Sequence, residues 1–102
     1  MADLVTTSGV GAVLGEHREQ ILAIAARHRG RRVRIFGSVA RGQATPDSDI
    51  DFLVDFEDGS SLFDLRRVGE ELAELLGREV DVVSTGGLKP RDEAILMEAV
   101  DL

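Results

Sequence analysis

One hundred and two residues suffice for one small domain and not two, and a chain this short buries a core modest enough for a partner to add to its stability. The hydrophobic fraction of 43% is ordinary for a soluble globular protein, and four Phe with no Trp or Tyr argue against base stacking as the main binding mode. A formal net charge of −7 argues against a broad footprint on duplex nucleic acid, while it admits a magnesium-bound triphosphate or a basic protein partner.

The sequence has no cysteine, which excludes a disulfide framework and a thiolate metal site. The first residues lack a charged stretch followed by an apolar run, and no apolar run approaches the ~20 residues that span a bilayer, so a cytoplasmic protein without membrane contact is the expectation.

Residues 1–12 are small and polar with scattered apolar positions. They read as a flexible segment or a helix lead-in, ahead of a single domain over 13–102. Over 13–28, Leu14, His17, Ile21, Ile24, Ala25 and His28 recur at helical steps, and Gly30 stands where a helix stops. A short β-type run, 33–36, ends at Gly37. Gly, Pro, Asp and Ser make 42–48 a loop. Acid and apolar residues alternate over 49–56, the period of a strand. Ser61 and Asp64 form a capping-box pattern before a helix whose stripe is Leu62, Leu65, Val68, Leu72, Leu75 and Leu76, ended by Gly77. A third strand covers 79–84. Gly86 and Gly87 break it, and Pro90 suits the first turn of a last helix holding Ile95, Leu96, Ala99 and Val100.

The strand–helix–strand unit in the middle predicts a right-handed crossover between parallel strands. That sets Asp49 and Asp51 near Asp81. If Gly37 is to join them, the first strand runs antiparallel to the second. The expected fold class is α/β (α+β): a small mixed β-sheet flanked by helices.

Asp49 and Asp51 are two apart on a strand, so they share a face, while Ile50, Phe52 and Val54 face the core. Nothing in the local sequence pairs with the two acids. Magnesium resolves their repulsion, since it takes one or two carboxylates together with phosphate oxygens. Two such ions ~3.5–4 Å apart can clamp an attacking and a leaving oxygen, with Asp81 as a third ligand. Acids at alternate positions also occur on solvated strand faces, and Asp47 and Asp55 fit that description better. The turn Gly37-Ser38 offers backbone N–H groups and a hydroxyl to a phosphate, although Gly-Ser after a strand is also an ordinary turn. The stretch 37–42 imitates the spacing of a Walker loop, but Gln43 and Ala44 stand where Lys and Ser or Thr belong.

Phe36-Gly37-Ser38, ten intervening residues, then Asp49-Ile50-Asp51-Phe52 resembles the signature of the DNA polymerase β-like nucleotidyltransferase superfamily. The strings GSVARGQATPDSDIDFLVDF and GREVDVVS, with Leu-Lys-Pro at 88–90 and Glu98-Ala99-Val100, are similar to its MNT, or minimal nucleotidyltransferase, branch. The resemblance runs from about Glu16 onward. It implies a nucleotidyltransferase-like fold and a two-Mg2+ reaction with ATP as donor. Asp49 and Asp51 would bind both ions, Asp81 would bind the ion that activates an acceptor hydroxyl, and Gly37 and Ser38 would hold the triphosphate. Arg41 is a further candidate for a phosphate contact. The branch implies a partner, a HEPN-type ribonuclease toxin, neutralised by transfer of AMP to a tyrosine. A masking antitoxin without chemistry and a nucleotidyltransferase for an aminoglycoside-type small molecule are the alternatives.

Three other patterns carry less. Gly9, Gly11 and Gly15 have no strand before them and make no dinucleotide fingerprint. His17 and His28 share a helix face but lie ~16 Å apart, too far for one metal. The basic residues Arg27, Arg29, Arg31, Arg32 and Arg34 suit a helix C-terminus, and Arg34 lies ~10 Å before Gly37.

Overall fold

The computed structural model describes residues 9–45 and 47–102. Among them are five α-helices, α1 (Gly9–Glu16), α2 (Arg18–Arg27), α3 (Gly37–Ala40), α4 (Leu62–Leu76) and α5 (Glu93–Glu98). Four strands, β1 (Gly30–Phe36), β2 (Ile50–Phe56), β3 (Val80–Ser84) and β4 (Val100–Asp101), form one sheet in the order β3-β2-β1-β4. β1 is antiparallel to β2 and to β4, and β2 is parallel to β3 across the α4 crossover. The mixed sheet flanked by helices is the expected architecture.

The α2 residues Ile21, Ile24 and Ala25 and the α4 residues Val68 and Leu72 are buried, against Val33 and Ile35 of β1 and Ile50, Phe52 and Val54 of β2. α4 begins at the predicted box: Ser61 Oγ accepts from Phe63 N at 3.2 Å and Asp64 Oδ2 accepts from Ser61 N at 3.0 Å. It ends at Gly77, whose φ of 67° places it in the left-handed region.

Four details differ from the periodicity. The expected segment 1–12 lies mostly outside the described residues, and its last four belong to α1. The helix read over 13–28 is interrupted at His17 (φ −104°, ψ 12°), although the Val13 carbonyl still accepts from His17 N and the His17 carbonyl from Ile21 N. Gly30 is not the helix stop. Arg29 takes the left-handed conformation, with φ 68°, and Gly30 opens β1. A Cβ on Gly30 would stand 2.9 Å from Val54 Cγ1 and 3.0 Å from Ala25 Cβ, so this glycine serves the close approach of helix to sheet. Finally, Val100 is not helical. α5 ends at Glu98, Ala99 is extended, and Val100 and Asp101 cover the free edge of β1, with Arg32 Nε donating to Asp101 Oδ1 at 2.9 Å.

Candidate active site

Strand register assembles the site. Phe36 at the end of β1 lies opposite Asp51 of β2, and Asp51 lies opposite Asp81 of β3. Residues opposite one another in adjacent strands share a face, so Asp51 and Asp81 are neighbours. Asp49, two positions earlier and just before β2, joins them from the same side. The row therefore runs across three strands at one end of the sheet, with the Gly37 turn beside it. Asp51 is half-buried, and Asp49 and Asp81 are exposed.

Gly37 has φ +73°, and a Cβ built on it would lie 2.2 Å from Asp51 Oδ2 and 3.1 Å from Asp51 Cγ. The turn thus needs glycine for its backbone and again for the carboxylate packed on it. α3 follows at once. Gln43 N donates to the Ser38 carbonyl at 2.8 Å, folding the loop back on this turn.

The electrostatics are those of crowded acids. Burial raises the pKa of Asp51 above the ordinary carboxylate value, and the charges of Asp81 and then Asp49 raise it further. Arg41 opposes the shift, and Glu98 adds to it. Among the described residues no group of three or more His, Asp or Glu side chains is placed to hold a metal ion by itself. Magnesium does not require one, because phosphate oxygens and water complete its shell. Hard carboxylate donors on one face, their like charges already felt at Asp51, fit that ion.

Glu98 was not among the candidates read from the sequence. Its Oε1 accepts from Gly37 N at 2.8 Å, and Arg41 Nη1 lies 3.3 and 3.1 Å from its two oxygens. Arg41 also donates to Gln43 Oε1 at 3.1 Å. The link between Gly37 and Glu98 spans 61 positions, and the only sequence signal was the Glu98-Ala99-Val100 string. Arg78 was missed as well. Its guanidinium donates to the Ser48 carbonyl, which fixes the backbone immediately before Asp49.

The set-aside residues lie elsewhere. Arg34 donates to Asp55 Oδ1 at 3.1 Å, and Thr85 Oγ1 donates to the same oxygen. Burial pushes the Asp55 carboxyl up, but those hydrogen bonds and the Arg34 charge outweigh it and hold the group below its ordinary value. His28 Nε2 contacts Glu71 Oε2 at 2.6 Å, and His17 Nδ1 contacts Gln20 Oε1 at 2.7 Å, so the two histidines share nothing. A groove of about 470 Å³, lined among others by Phe56, Leu62, Leu65 and Val82, opens toward the C-terminal ends of β2 and β3, away from the acids. No described helix is long and apolar enough to cross a membrane.

Comparison with known proteins identifies the family and the fold. A family model described as a nucleotidyltransferase domain matches residues 17–101. A candidate protein adenylyltransferase of Methanocaldococcus jannaschii is 44% identical over 90 residues, covering 87% of this chain and 97% of that protein. Protein adenylyltransferase MntA of Thermococcus cleftensis is 37% identical, covering 84% of each. A solved structure of a minimal nucleotidyltransferase, 48% identical, superposes with a TM-score of 0.80 over 99% of this chain and 97% of its own. A toxin–antitoxin complex with AMP-PNP shares the fold, with a TM-score of 0.70 at 20% identity over 81% of this chain and 69% of its own.

Proposed function

The chain belongs to the nucleotidyltransferase domain family, and from that premise we propose that it transfers AMP from ATP to a hydroxyl of a protein partner, a HEPN-type toxin, and so acts as its antitoxin. The observation that carries the reading is the row Gly37–Asp51–Asp81, with Asp49 beside it, at one end of the sheet. The names of its relatives supply the class of acceptor. The domain, with α1 as its first helix, works in the cytoplasm.

The strand order supports a division of roles in this reading. Gly37 and Arg41 lie on the β1 side of Asp51, where an N–H and a guanidinium can receive phosphate oxygens. Ser38 adds a hydroxyl there. Asp81 lies on edge strand β3, exposed, on the side from which an acceptor can approach. Asp49 and Asp51, between the two, would hold two Mg2+ ions with Asp81 on one of them, and these would neutralise charge at the α-phosphate and acidify the acceptor hydroxyl. The acceptor oxygen bonds to the α-phosphorus, the bond to the bridging oxygen breaks, pyrophosphate leaves, and the hydroxyl proton passes to solvent. The protein supplies position and charge for this exchange and forms no covalent intermediate. Leu62, Phe63 and Met97, at 79, 75 and 80% exposure, offer apolar contacts to a partner.

The test is incubation with ATP, Mg2+ and the co-purifying partner, followed by mass spectrometry of the partner. Addition of one AMP, lost with Asp51→Asn, is the expected result. Full neutralisation of the partner by both proteins, with no mass change, would leave a masking antitoxin. Labelling of an aminoglycoside but of no protein would leave a small-molecule enzyme.

A further inference from the structure

The Gly37 amide and the Arg41 guanidinium are the donors that the reading above gives to a triphosphate, and both already have an acceptor within the chain. One carboxylate takes them: Glu98 Oε1 lies 2.8 Å from Gly37 N, and the two Glu98 oxygens lie 3.3 and 3.1 Å from Arg41 Nη1. A backbone N–H and a guanidinium meeting on one anionic oxygen is the arrangement a phosphate oxygen would find.

Glu98 is held there from both sides. It is the last residue of α5, and within two residues the chain enters β4, which pairs with β1 through Val100 opposite Ile35. Its side chain is 31% exposed, so it stands at the rim with open solvent to turn into. It also brings a fourth carboxylate to a place that holds three, close enough for its charge to act on Asp51. Arg41, which faces this set, is drawn onto Glu98 and away from incoming phosphate.

We infer that Glu98 is an autoinhibitory residue of the nucleotide site: its carboxylate fills the anion subsite made by Gly37 N–H and Arg41, and a nucleoside triphosphate binds by displacing it. The inference rests on the reading of this site as a nucleotide site. A ligand that binds only the open state has its apparent Kd raised by the fraction of molecules open, so a latch closed nine-tenths of the time weakens binding about tenfold. A ligand that does not use this subsite carries no such cost.

The test is titration calorimetry of the full chain with Mg2+ and a non-hydrolysable ATP analogue, and separately with adenosine, comparing wild type, Glu98→Gln and Glu98→Ala after thermal melts confirm that each is folded. Glu98→Gln keeps the acceptor for Gly37 N–H and loses the charge that holds Arg41. Glu98→Ala removes both contacts. The expected result is tighter binding of the triphosphate analogue in both variants, with Glu98→Ala reaching about tenfold, while adenosine, which brings no phosphate to the subsite, gains nothing. Weaker binding in the variants would make Glu98 part of the nucleotide or metal contacts, and unchanged binding would make it a structural ion pair. Either result overturns the inference while leaving the nucleotide site in place. Absence of binding by all three proteins would overturn the nucleotide reading and take this inference with it.

Discussion

Replacing Gly37 by alanine separates backbone strain from damage to the site. Gly37 has φ +73°, where a Cβ costs about 1–2 kcal/mol. For a domain of this size that lowers Tm by about 4–16 °C. Gly77 has φ +67° and nothing within 4 Å of its virtual Cβ, so Gly77→Ala carries the same strain and no collision. At Gly37 the new methyl would lie 2.2 Å from Asp51 Oδ2. Ordinary contact is about 3.5 Å, so the carboxylate must retreat by about 1 Å. Because that oxygen is the end of a side chain that can swing, the retreat costs little stability. It does cost geometry, and a displacement of about 1 Å at a reacting centre can lower a rate about 100-fold. The expected result is that both variants melt alike, that Gly77→Ala transfers label from ATP at the wild-type rate per folded molecule, and that Gly37→Ala is slower by about two orders of magnitude. Rates must be taken well below both melting transitions. Equal rates for the two variants would refute the argument, since the contact with Asp51 would then have no chemical consequence.

Asp51→Asn should raise the metal-free Tm, because it removes a charge opposed by Asp81 and Asp49, while abolishing transfer; a lowered Tm measured in chelator would contradict the like-charge account. The sign of the pH dependence follows from the same group. Its pKa is raised in the fold, so the folded state holds a proton that the unfolded state has released, and the stability it contributes below the ordinary carboxylate range is lost as pH rises through the raised value. Urea midpoints of wild type relative to Asp51→Asn should therefore fall over that interval and recover on adding Mg2+. Asp55, whose pKa is lowered, acts with the opposite sign: its contribution is present above the ordinary carboxylate range and fades as pH falls through the depressed value. Asp55→Ala strips Arg34, whose side chain is 12% exposed, of its carboxylate and should cost about 1–3 kcal/mol by urea denaturation, with no loss of transfer rate per folded molecule.

The legible parts of the sequence were those governed by short periods. Alternation over Asp49 to Phe56 placed Ile50, Phe52 and Val54 in the core and the acids on the other face, and the crossover rule brought Asp81 alongside. The capping residues of α4 were readable because Ser61 and Asp64 act within one turn. What escaped depends on distant partners. β4 is two residues long, too short to show alternation, and exists because the β1 edge and Arg32 receive it. Gly30 looked like a helix stop because nothing local announces Val54 against it. Glu98 gave only a faint signal, since its meaning lies in an amide 61 positions away.

The position of β2 between β1 and β3 divides the site into two halves of unequal rigidity. Amides of the acid-bearing strand are locked between neighbours on both sides above a buried core, so they exchange with solvent hydrogen only when the whole domain opens. The Gly37–Arg41 side rests on a four-residue helix and a two-residue strand, which can open locally at far lower cost. Sequence change should therefore be absorbed more readily on the Glu98 side than at Asp51 in the central strand.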